Sequence, residues 1–186
     1  MKSFGLILLI ILAGGCASIP VSTMFRFMNF DKQDFDALNV SEIRARVSLS
    51  QPATIKAESA RMALELGSEQ GVRQFSFPLV LVSEKVLAGQ DGFFTSLPDR
   101  TEYTFTLSDE AQENFQAVQR TSLNEGTKSG FSVGVGFDNF PTDNTVVRLW
   151  IALQLSEEDG YFTLIDDAPV EIDKEAGSES NQPNSL

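Results

Sequence analysis

Gly130-Phe131-Ser132-Val133-Gly134 has the G-x-S-x-G spacing of a nucleophile elbow, where a strained strand-to-helix turn presents a serine to an ester or amide carbonyl. That chemistry needs a base. The 186-residue chain has no histidine, which removes every Ser-His-Asp or Cys-His unit and every imidazole metal site. Lys128 lies four residues before Ser132, but four positions along a strand or turn define no Ser-Lys geometry. Phe131, Val133, Val135 and Phe137 alternate through the motif, so a strand is expected to run straight through it. Ser132, Gly134 and Gly136 would then form a side-chain-poor face that a neighbouring backbone or helix approaches closely. On this reading Ser132 is structural and the chain is not an enzyme.

Carboxylates are the other chemical resource. With 26 acidic residues some must pair by chance. Asp138-Asn139 and Asp143-Asn144 offer four oxygen side chains of a kind that suits Ca²⁺, but without the spacing or acidic twelfth ligand of an EF-hand. Asx-rich loops also form for turn reasons alone. Glu157-Glu158-Asp159-Gly160 reads as a hairpin turn, and Asp166-Asp167 as the exposed end of a last strand. No phosphate loop, dinucleotide fingerprint or Cys/His cluster is present, so no cofactor and no metal are expected. The net charge of −12 argues against a nucleic-acid partner, which needs a basic patch. One cysteine excludes an internal disulfide.

That cysteine is Cys16, and what precedes it gives it a role. Residues 1–15 carry Lys2, an apolar run from Phe4 to Ala13 and the small residues Gly14 and Gly15. This is the pattern of a secretory signal peptide. It falls short of the ~20 apolar residues that span a bilayer. The junction Leu12-Ala13-Gly14-Gly15-Cys16 resembles the lipobox of bacterial lipoproteins, with Ala13 where the commonest pattern has Leu. The resemblance implies cleavage before Cys16, a diacylglycerol thioether on its sulfur and an acylated amine. Several acyl chains anchor stably where one would be marginal. Ala17 stands where the enterobacterial sorting rule places an inner-membrane-retaining Asp, which implies the outer membrane, facing the periplasm.

The elements follow from periodicity. Residues 16–21 read as a short tether, and 22–170 as one domain. In residues 22–30, Met24, Phe27 and Met28 recur at helical spacing, and 31–38 reads as a second short helical turn with Phe35 and Leu38 inward. From Ile43 the period becomes two: Ile43–Leu49, Ala60–Leu66, Thr101–Leu107, Phe131–Phe137 and Val146–Leu155 alternate, and Phe162–Ile165 is a short last strand. Phe75–Val82 is nearly continuously apolar and reads as a strand buried on both faces, with Pro78 at an edge or bulge. One helix interrupts the strands, capped by Ser108, facing inward with Ala111, Phe115 and Val118, and stopping at Gly126. The expected fold is mainly β: an antiparallel sandwich with one inserted helix and a short N-terminal helical segment, α+β being the alternative. Residues 171–186, rich in acids and poor in aliphatics, read as a disordered tail.

The start Cys16-Ala17-Ser18-Ile19-Pro20, the Ser-Thr-Met segment at 22–24 and Asp34-Phe35-Asp36-Ala37-Leu38-Asn39 resemble small lipoproteins of Gram-negative bacteria. The resemblance carries over no activity. It implies a module held to the outer membrane by lipid on Cys16, with an envelope protein as partner. The secretion-apparatus lipoproteins are a more specific variant. A carrier of lipid or amphiphile is the rival, and would need a cavity lined by Phe and Met. A filled core with an exposed apolar strip would favour the partner-binding module.

Overall fold

A computed structural model describes residues 32–68, 71–92, 96–121, 128–141 and 146–170. Among these the chain forms helix α1 (Lys32–Ala37), a 3-10 turn η1 (Val40–Glu42), strands β1 (Arg44–Ser50), β2 (Thr54–Ser68), β3 (Gly71–Leu87), β4 (Gln90–Asp91), β5 (Ser96–Leu97) and β6 (Arg100–Leu107), helix α2 (Asp109–Thr121), and strands β7 (Lys128–Asn139), β8 (Val147–Gln154) and β9 (Tyr161–Val170). β4 and β5 pair only with each other. The other seven make one antiparallel sheet in the order β7-β2-β3-β6-β1-β8-β9, curled around a shared core. The fold is mainly β, as the alternation requires.

Alternation decides which face is buried. Ala45, Val47 and Leu49 on β1, Tyr103, Phe105 and Leu107 on β6, Met62, Leu64 and Leu66 on β2, and Val147, Ile151 and Leu153 on β8 all point into one cluster. Leu155, just past the strand, is buried too, while Leu149 in the same alternating series is half-buried. β8 lies between β1 and β9 and is paired on both sides. Helix α2 closes the cluster. The Ser108 hydroxyl accepts from the Ala111 N–H at 3.1 Å, as an N-cap should, and Phe115 packs between Phe35 of α1 and Phe77 of β3 with ring centroids 5.5 and 5.1 Å away. The helix is described as far as Thr121, and the expected stop at Gly126 lies outside the described residues.

Strand β3 departs from its expected role. Its first half, Gly71–Pro78, pairs with β2, and its second half, Leu79–Leu87, pairs with β6. Pro78 is neither at an edge of the sheet nor in a bulge. It sits at the hand-over between partners, where a residue without an N–H costs no ladder bond, and its carbonyl accepts from Ser108 N–H. The strand is buried only at Phe77 and Leu79; every residue from Val80 to Val86 is exposed, so it is not covered on both faces. A register shift between Leu81 and Ser83 leaves Val82 as a bulge. The last strand is also longer than its apolar run suggests: β9 extends through Asp166 and Asp167 to Val170.

Candidate binding surface

Cys16, the leader, the tether, the 22–31 segment and the 171–186 tail lie outside the described residues. Ser132 sits in the middle of β7, exposed and opposite Ala63 of β2, with the strand running through the whole motif. No strand-to-helix elbow forms there. The side-chain-poor face is approached closely at one position only. Gly136 N–H donates to Ser59 Oγ at 2.6 Å, and a Cβ at residue 136 would stand 3.0 Å from that oxygen, whereas one at Gly134 would meet nothing within 4 Å.

The acidic positions are used by the fold. Asn139 donates its side-chain amide to the Pro52 carbonyl, and residues 142–145 of that loop lie outside the described set. Glu157 N–H donates to Glu42 Oε2 at 2.9 Å, tying the β8–β9 turn to η1. Asp167 is not an exposed strand end: Arg148 Nη2 donates to its Oδ2 at 2.6 Å, and Nε to Oδ1. Among the described residues no three Asp, Glu or Cys groups are placed to hold a metal.

The residues that do converge were unmarked in the sequence, because they come from four strands. Register places Ser48 of β1 between Glu102 of β6 and Trp150 of β8, and Arg46 between Thr104 and Ala152. All lie on the face opposite the core. The Arg46 guanidinium stacks over Tyr161 of β9 at 3.9 Å and its Nε stands 3.5 Å from Glu102 Oε1. The Arg100 guanidinium lies 5.2 Å from the Trp150 ring centroid. Between these side chains is an open cleft of about 140 Å³. A second cleft, of about 300 Å³, lies along Val86, Leu87, Ala88 and Leu97, and Arg100 lines both.

Beside that second cleft runs the apolar strip. Val80, Leu81, Val82 and Val86 are 44, 40, 57 and 69% exposed. They belong to the half of β3 that pairs with β6 alone. Among the described residues no strand occupies its other side, so its outward N–H and C=O groups form an open edge. Glu84, Lys85 and the bulge at Val82 are the only features there of the kind that guard an edge against further pairing.

Comparison of the chain with protein-family models, with curated proteins and with solved structures finds no match in any of the three.

Proposed function

We propose that the chain is a lipid-anchored, non-enzymatic module of the bacterial outer membrane that faces the periplasm and binds a protein partner along β3. The observation that supports this most is the coincidence of an open strand edge with four exposed aliphatic side chains. An edge offers main-chain hydrogen bonds to an added strand, and alternate side chains supply its selectivity. Register sets Val80 on one face of that edge and Leu81 and Val86 on the other, so an added strand would meet apolar side chains on both of its sides. The core points the same way: Phe35, Phe105, Phe115 and Met62 are fully buried and packed against neighbours, which favours a binding module over a carrier with an internal cavity.

Two measurements test the two parts. Cys16→Ser is expected to abolish palmitate labelling and release the protein from the membrane fraction; unchanged labelling and retention would refute the anchor. A photo-crosslinking residue at Val86 is expected to give discrete adducts in cells that disappear when Val82 is changed to Lys. The same probe at Glu158, in the β8–β9 turn, is expected to give none. Identical patterns at both positions would refute partner binding at β3.

A further inference from the structure

We infer that the outer-face cleft is a binding site for a carboxylate attached to an apolar group, with Arg100 and Ser48 as its donors and Trp150 as its apolar wall. The inference does not rest on partner binding at β3.

Arg46 and Arg100 are the cations of the cleft, Glu102 and Asp166 its acids, and among the described residues Arg100 has no carboxylate within salt-bridge distance; its guanidinium lies 5.2 Å from the Trp150 ring centroid. Arg46 is already matched by Glu102. Its Nε is nonetheless buried and lacks a hydrogen-bond partner. That nitrogen is covered by protein and faces Glu102, so the donors an entering carboxylate reaches are those of Arg100 and Ser48. Ser48, only 5% exposed, presents a hydroxyl on the cleft floor between Glu102 and Trp150. A planar guanidinium matches a carboxylate in two-pronged geometry. The neighbouring indole, with Ala152 and Ile165 of the lining, supplies apolar contact for whatever carries that carboxylate. The volume, about 140 Å³, is below the roughly 300–1,000 Å³ of pockets for drug-sized ligands. It fits one side chain or chain end. The source is therefore either a small free carboxylic acid or the C-terminus of a peptide.

Trp150 is the only tryptophan in the chain, so its fluorescence reports this cleft alone. The full chain in mild detergent would be titrated with N-acetyl-leucyl-leucine, with its C-terminal amide and with 4-methylpentanoate. The dipeptide acid is expected to change Trp150 emission saturably, and the amide to bind at least about tenfold more weakly, as loss of a charge-assisted contact implies. Equal binding of acid and amide, or no response to any of the three probes, would overturn the proposal. If 4-methylpentanoate binds as well as the dipeptide acid, the source is a free acid; if it binds much more weakly, the source is a chain terminus. Arg100→Gln should weaken the acid about tenfold and leave the amide unchanged, and Arg100→Lys should recover part of the loss. Arg120→Gln, on α2, should change neither. Acid binding unaltered in folded Arg100→Gln would likewise overturn the assignment.

Discussion

Arg148 of β8 grips Asp167 of β9 with two parallel hydrogen bonds and reaches the Asp167 carbonyl with a third, at 3.2 Å. Asp167 needs that grip because its φ is +52°, the one positive value at a non-glycine residue among those described. The position lies where the β8–β9 register shifts between Leu149 and Ile151. Aspartate tolerates the left-handed region better than most side chains, and β-branched residues tolerate it worst. The carboxylate in turn pushes the Arg148 guanidinium further toward its charged form. Asp167→Val should therefore cost about 1–3 kcal/mol, combining backbone strain with the lost pair. Asp167→Gly loses the same pair but relieves the strain, and should cost less than about 1 kcal/mol, because half-exposed ion pairs contribute little. Urea unfolding of both variants measures the difference, and equal losses would place the strain elsewhere.

Ile151 is 3% exposed on a strand paired on both sides. Ile151→Ala should cost about 2–5 kcal/mol, the range for large-to-small changes in packed cores. Glu158 lies exposed in the next turn, where only its backbone N–H is engaged, by Ser156 Oγ. Glu158→Ala should change stability by less than about 0.5 kcal/mol. Chemical denaturation of the purified chain compares them.

Acid should loosen the tie between η1 and the β8–β9 turn. The Glu157 N–H, and then the Asn39 side-chain amide, hold the Glu42 carboxyl below its ordinary value of 4.5. The unfolded chain thus takes up this proton at higher pH than the folded one. Whatever stability the contact contributes is complete above the unfolded value and is lost as pH falls through the folded one. Glu42→Gln should flatten the fall in stability between about pH 5 and pH 3 while leaving stability above pH 6 nearly unchanged in its slope. Parallel slopes for the two proteins across that window would contradict the assignment.

Two glycines of β7 should respond differently to the same change. Ser59 Oγ is pinned, donating to the Lys56 carbonyl and accepting from Gly136 N–H, each at 2.6 Å. It cannot yield easily to a new methyl group at residue 136. Gly136→Ala should destabilise by about 1–3 kcal/mol. Gly134→Ala meets open space and should be neutral or stabilising by up to about 1 kcal/mol, through the unfolded state. Thermal unfolding of the pair separates close approach from strand propensity.

These cases also mark what could be read from the sequence. Alternation on β8 and β6 was enough to assign their buried faces, because period two records which side meets the core. The Ser108 cap and the Ala111, Phe115, Val118 stripe were equally legible, being local. Phe75–Val82 misled because an apolar run says how greasy a strand is, not how many neighbours cover it. Its exposure depends on β2 leaving β3 at Arg61 and Pro78, a fact of long-range pairing. The cleft was invisible for the same reason. Period two puts Arg100 and Glu102 on one face of β6, but only strand register brings Arg46, Trp150 and Tyr161 from three other strands beside them. Asp166-Asp167 looked like a strand end because charged residues dilute the apolar pattern exactly where the bulge requires one.

The sharing of β3 between β2 and β6 has a consequence for how the chain assembles. Few pairings are between strands adjacent in the sequence: β2 with β3, β8 with β9 and the small β4–β5 hairpin. β1 must wait for β6 and then β8, and β2 must wait for β7, whose first residue is Lys128. During synthesis more than half of the chain is therefore made before either half of the sheet can close. Topologies of this kind fold slowly, because distant ends must meet before contact energy accrues, and they expose strand edges meanwhile. Once closed, neither half can come apart without tearing the one strand they share. The native state should thus be reached late and left abruptly, in a single step rather than half by half.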